Sequence, residues 1–154
     1  MNITIAAVGK IKRGPAAELI AKYLKRTRWN ITVHEVTDAP SNLAADARKA
    51  REAKTILNLV GENDLLIALD SRGSQPTTEV FAALLQRAQK NAIKHAVFAI
   101  GGQDGLDDAV LKRATHTIAF GAVTWPHQLL RAMLAEQIYR AYTIDAGHPY
   151  HTGH

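Results

Sequence analysis

The chain predicts an α/β domain in which a mostly parallel sheet carries helices on both faces. Apolar runs with the length of buried strands recur along the 154 residues, and helix-length amphipathic stretches separate them. Glycine, proline or a capping residue punctuates most of the junctions. The length suits one domain, residues 1–154, able to bury most of its apolar surface.

Each element has its own signal. Asn2–Val8 is a mostly apolar strand, and Pro15–Thr27 reads as a helix ending in a basic cluster. Ile31–Thr37 alternates apolar and polar residues, as a strand with one exposed side does. Ser41 is placed to cap a helix through about Val60, with Leu43, Ala47, Ala50, Leu57 and Val60 on its stripe and Gly61 as its stop. Asp64–Leu69 is a buried-type strand. Pro76 opens a helix to about Lys90, Ala96–Ile100 is the next strand, and Leu106–Ala114 a short helix. Thr115–Phe120 is the fifth strand and Pro126–Ile144 the last helix. No repeat, low-complexity tract or linker interrupts this order.

Composition excludes several classes. Hydrophobic residues make up 47% and charged residues 21%, a globular mix without a disordered profile. Without cysteine there is no disulfide framework and no thiolate metal site, which fits a reducing compartment. No apolar run approaches roughly 18 residues, and the opening MNITIAAVGKIKR reads as a strand rather than a signal peptide. A cytoplasmic protein is expected. The net charge of +5 is uneven: residues 1–60 hold eleven Lys/Arg against five acids. The surplus on Lys10–Arg13 and on the 22–28 and 48–54 stretches is able to attract phosphates, or to be a solvated helix face.

In a parallel sheet, ligands sit at the carboxyl ends of the strands. The first end, Gly9-Lys10-Ile11-Lys12-Arg13-Gly14, has the glycine spacing of a phosphate loop. Pro15-Ala16 stand where Lys and Ser/Thr are required, so it is not a Walker motif. The third end is Ala68-Leu69-Asp70-Ser71-Arg72-Gly73, the fourth Ile100-Gly101-Gly102-Gln103-Asp104-Gly105-Leu106, and the fifth Phe120-Gly121-Ala122-Val123-Thr124-Trp125-Pro126. A dinucleotide fingerprint is absent. What remains is a cleft of backbone groups and apolar side chains (Leu69, Ile100, Val123, Trp125) suited to a flat heterocycle such as adenine. Gly101-Gly102 permit close backbone approach, or simply make a tight turn with Gly105.

These residues resemble a known family. IGGQDGL at the fourth strand end, FGAVTWPHQLLRAMLAEQIYRA at the fifth and the terminal HPYH are similar to the RlmH family, ribosomal large subunit methyltransferases of the SPOUT class. ITIAAVGKIK and ALDSRG fit as well, so the resemblance covers essentially the whole chain. It implies an α/β fold with a C-terminal trefoil knot, although true knots are essentially absent among proteins at large. It implies methyl transfer from S-adenosylmethionine to N3 of a pseudouridine in 23S rRNA, by a homodimer acting on assembled ribosomes. Carried over by motif, the donor contacts are Leu69, Gly101, Phe120, Gly121, Ala122, Val123, Thr124 and Trp125.

The chemistry asks for further partners. The acceptor nitrogen must lie along the S–CH₃ axis, and its proton must leave before or during attack. A pseudouridine must also leave its stack. The imidazoles of His148 and His151 can relay a proton; Tyr150 can stack on the base or bond its carbonyls; Arg131 and Arg140 can stabilise anionic oxygen or hold phosphate. His127, in the first turn of the last helix, reads as structural, and Glu136–Arg140 as an i,i+4 pair on the surface or at a dimer interface. His154 reads as the end of the chain. The histidines lack acidic partners at ligand spacing, so no metal is expected. A non-enzymatic RNA-binding module and a different nucleotide-using enzyme are the alternatives; the chain has no G-x-S-x-G or H-E-x-x-H motif for the latter. A bulky residue at Gly101 is expected to abolish donor binding while sparing the fold.

Overall fold

The computed structural model describes residues 1–152; His154 lies outside the described residues. Five strands and five helices alternate: β1 (Asn2–Val8), α1 (Pro15–Arg26), β2 (Asn30–Val36), α2 (Ala45–Asn58), β3 (Leu65–Ser74), α3 (Thr78–Lys90), β4 (His95–Ile100), α4 (Asp108–Arg113), β5 (His116–Ile118) and α5 (His127–Asp145). The sheet is parallel throughout, in the order β2-β1-β4-β3-β5.

Alternate residues of the central strands feed two cores. Ile3, Ile5, Ile67, Phe98 and Ile100 pack with Phe81 and Leu85 of α3 and with Leu134 and Ile138 of α5. Ala6, Val8, Leu66, Val97 and Ala99 pack on the opposite face with Ala53 and Ile56 of α2 and Val110 of α4. A smaller cluster, Ile20 with Ala132 and Ala135, joins α1 to α5. Burial on both faces is why β1, β3 and β4 read as near-continuous apolar runs.

The helix after β2 departs from the sequence expectation. It begins at Ala45, not Ser41, and Ala44 makes no side-chain cap. A turn closed by Leu43 N–H to Pro40 O holds the chain out of helix, and the Arg48 guanidinium binds the carbonyls of Ser41 and Leu43. Its buried face is Glu52, Ala53 and Ile56, whereas Ala47 and Ala50 are exposed. The helix opened by Pro76 starts at Thr78, with Thr77 accepting from Val80 N–H at 3.3 Å.

β3 runs five residues past its expected end. Leu69 pairs with Ile118 of β5, and so does Ser74, so β3 passes one partner residue twice. The wrap is tight: a Cβ built on Gly73 lies 2.5 Å from Ile118 N and 2.6 Å from Thr117 C, which leaves room only for glycine. A strand folded around its neighbour in this way is consistent with the knot that the resemblance implies. α5 then returns to the face of α1 and α3 and ends in a left-handed Gly147 (φ 66°), with His148 N–H bonded to Thr143 O at 2.8 Å and Gly147 N–H to Ile144 O at 3.2 Å. That cap turns the tail back along the helix.

Candidate active site

The carboxyl ends of β3, β4 and β5 enclose a cavity of about 330 Å³, within the range of small-molecule sites. Leu69, Gly101, Phe120, Gly121, Val123, Thr124 and Trp125 all line it; Ala122, expected with them, is exposed and lines no part of it. The loop after β5 is held by Trp125, whose indole N–H donates to Phe120 O at 2.7 Å, and by Gly121 at φ 95°. That bond closes residues 120–125 on themselves.

The loop after β4 is a tight turn. Gly105 N–H donates to Gly102 O at 3.0 Å, and Gly105 takes φ 81°. A Cβ on Gly101 lies 2.5 Å from Gly105 C. A side chain at 101 therefore has to displace the loop's own backbone, so a bulky residue there is expected to perturb this loop as well as any ligand it walls. Outside the turn, Arg48 grips Asp104 through Nε (2.7 Å) and Nη2 (2.9 Å), and this bonding holds the Asp104 carboxyl below its ordinary range. Because Arg48 also holds Ser41 and Leu43, it ties the loop before α2 to the loop that walls the cavity.

Asp70 also faces the cavity. Its carboxylate takes Arg72 Nε at 2.8 Å and the Arg72 N–H at 2.9 Å, and these bonds keep it ionised below the usual range against partial burial. Glu52, on the buried face of α2, behaves oppositely: burial pushes its carboxyl up, with Asp38 and Asp104 adding repulsion. Sequence reasoning missed Arg48, Glu52 and Gly73. An Arg and a Glu at i,i+4 resemble a solvent-facing pair, and nothing local shows that their side of α2 faces the β4 loop.

The tail is not assembled with this cavity inside one chain. Tyr150 hydroxyl donates to Glu136 at 3.2 Å, and its ring lies 4.7 Å from Tyr139 and 4.8 Å from the Arg140 guanidinium. Desolvation, Tyr23 and Glu136 push the phenol up to about 12. The expected i,i+4 pair forms, with Arg140 Nη2 at 2.6 Å from Glu136. His151 Nε2 is 3.1 Å from Glu79 of α3, while His148 is exposed and accepts from Tyr150 N–H through Nδ1. Arg131 is corrected as a substrate cation. It is 2% exposed, and its guanidinium binds Glu35 at 2.9 Å and Gly9 O at 3.0 Å, clasping the end of β1. His127 lines the cavity from the first turn of α5. No grouping of three or more metal-ligating side chains occurs among the described residues.

Comparison with known proteins shows the family. A family model described as predicted SPOUT methyltransferase matches residues 1–151. The ribosomal RNA large subunit methyltransferase H of Rhodospirillum centenum is 44% identical over 151 residues, covering 98% of this chain and 99% of that protein. The protein of the same name from Rhodopseudomonas palustris (strain BisB5) is 42% identical over 161 residues, with the same coverage. A probable methyltransferase from Bordetella pertussis Tohama I has the same fold, with a TM-score of 0.60 at 12% identity over 91% of this chain and 95% of that one. The chain belongs to the SPOUT methyltransferase family, and within it to the ribosomal RNA large subunit methyltransferase H group.

Proposed function

We propose that the chain, a single domain over residues 1–154, transfers the methyl group of S-adenosylmethionine to N3 of a pseudouridine in 23S ribosomal RNA, acting in the cytoplasm on assembled ribosomes. The observation that carries this reading is the cavity at three neighbouring strand ends. Seven of the eight residues expected to hold the donor line it. When bound there, S-adenosylmethionine supplies an electrophilic methyl group on a sulfonium.

The protein's part is geometric and electrostatic. The Phe120–Trp125 loop, closed by its indole bond, offers backbone groups to the edge of an adenine. The Asp70 carboxylate, held ionised by Arg72, faces the same space and suits a cationic ligand. As the N3–C bond forms and the S–C bond breaks, sulfur keeps the bonding pair and the N3 proton passes to a base. With its phenol held neutral, Tyr150 is a hydrogen-bonding group at physiological pH, which leaves His148 and His151 as the proton carriers.

Dimerisation supplies what one chain lacks. The tail lies against α3 and α5 of its own subunit, Val123 stands 63% exposed at the cavity, and Leu129 stands 41% exposed in the first turn of α5. We read that apolar edge as part of a two-fold interface that sets one subunit's tail at its partner's cavity. Calorimetry with S-adenosylmethionine, and mass spectrometry of ribosomal RNA from a deletion strain with and without complementation, test the activity. Undiminished methylation in the deletion strain refutes it, and a fully active monomer in sedimentation refutes the dimer.

A further inference from the structure

The C-terminal tail folds back onto a cluster of rings and guanidinium groups where α1 packs on α5. Ile20 meets Ala132 and Ala135, and the Tyr23 ring continues that seam at 5.9 Å from Tyr139. Arg26, three residues further along in the last turn of α1, is carried by the same packing to the tail. Its guanidinium stands 4.6 Å from the centre of the Tyr139 ring and 5.5 Å from that of Tyr150. Both distances lie within the roughly 6 Å reach of a cation–π contact. Two guanidiniums thus approach the Tyr150 ring, and they are not equivalent. Arg140 lies 4.8 Å from the ring but binds Glu136 through Nε at 2.9 Å and Nη2 at 2.6 Å, so a carboxylate offsets its charge. Arg26 is exposed, and among the described residues no carboxylate binds it; the two tyrosine rings are what its cation meets.

We propose that Arg26 is a positioning residue for methyl transfer: from the end of α1 it holds the Tyr150 ring, and through that ring the His148–His151 tail, in the attitude that meets the acceptor base. This rests on the methyltransferase reading and on its use of the tail. Chain ends fray unless they are tied down. Beyond the left-handed Gly147 the tail is tied to the helices by His148 N–H to Thr143 O, by the Tyr150 phenol to Glu136 and by His151 to Glu79. The last is a surface pair, with the Glu79 side chain 68% exposed, and such pairs contribute little. The Tyr150 ring is therefore the main anchor, and what packs on a ring fixes it. Placement matters because a shift of about 1 Å in a group that meets the substrate costs on the order of 100-fold in rate. Lys22 and Lys25 are exposed on the same helix, so a contact from Arg26 to an RNA phosphate is the competing role. The two roles differ in kinetics: a phosphate contact acts on KM, whereas positioning acts on kcat.

Arg26→Met and Arg26→Gln remove both the charge and the plane, and Arg26→Lys keeps a charge without the plane. Each is made in the wild-type chain and in a Tyr150→Ala chain. Thermal melting, calorimetry with S-adenosylmethionine and transfer kinetics on ribosomes from a strain lacking the N3 methyl group are read together with amide hydrogen exchange at His148, Tyr150 and His151. For the methionine and glutamine variants the expected result is donor affinity and KM within about twofold of wild type, kcat lowered about tenfold, and faster exchange in the tail. Arg26→Lys recovers part of that kcat. In the Tyr150→Ala chain the same substitutions change kcat by less than about twofold, because the ring they act through is gone. Wild-type kcat in either folded variant overturns the inference. An equal loss of kcat in the Tyr150→Ala chain also overturns it, as does a raised KM at unchanged kcat, which assigns Arg26 to an RNA phosphate. Full transfer by Tyr150→Ala alone is a different failure: it removes the tail from the proposed function, and this inference with it.

Discussion

Replacing Gly101 by alanine tests how the cavity at the ends of β3, β4 and β5 is built. The new Cβ stands 2.5 Å from Gly105 C, 2.6 Å from Gly105 O and 2.9 Å from Leu106 N. Carbon atoms in contact settle at roughly 3.5–4.0 Å, so the two arms of the turn must part by about 1 Å. All three atoms met are backbone, and no side-chain rotation relieves the contact. The displaced segment carries Gly102, Gln103 and Asp104, which wall the cavity. A shift of about 1 Å in a positioning element costs on the order of 100-fold in rate. Gly101 does not occupy a left-handed conformation, so the loss comes from displacement of the loop rather than from backbone strain. Transfer kinetics on unmethylated ribosomes, calorimetry with S-adenosylmethionine and thermal melting read it together. The expectation is kcat/KM lowered about 100-fold and weakened donor binding, with a melting point only a few degrees lower. An alanine variant with wild-type donor affinity and wild-type kinetics refutes the reasoning.

Other perturbations separate fold from site. Gly73→Ala drives a Cβ into the Ile118 backbone where β3 wraps β5, and overpacking of this kind costs about 1–3 kcal/mol; an unchanged denaturation midpoint counts against the wrap. The Tyr150 phenol is raised from 10.0 to about 12, so its contribution to stability is complete below pH 10 and is lost as pH climbs through 12. Ultraviolet titration should show a late phenolate step that disappears in Tyr150→Phe; identical titration curves for the two proteins contradict this. Glu52 is raised by burial, so its contribution is present at acid pH and declines as pH rises through its elevated value. Glu52→Gln should remove that decline and melt at or above the wild-type temperature at neutral pH, whereas a large loss of stability there would show the charge to be needed.

The succession of strands and helices is written in local pattern. β1, β3 and β4 are apolar enough to be covered on both faces, and Gly147 and Thr77 mark helix boundaries through conformations and bonds that only nearby residues decide. Motif order carried the family, and it picked out residues that line one cavity, Leu69, Gly101, Phe120, Gly121 and Val123–Trp125, because ligand clefts in a parallel sheet form at the carboxyl ends of the strands. Only the tertiary structure decided the remainder. That β3 meets Ile118 twice, that Arg48 on α2 grips Asp104 past β4, and that Arg131 is spent on Glu35 and the β1 carbonyls all depend on contacts between residues 44 to 123 positions apart. No local periodicity encodes such contacts. They exist because the sheet order β2-β1-β4-β3-β5 brings distant strand ends together, and a side chain's partners are set by that juxtaposition rather than by its neighbours along the chain.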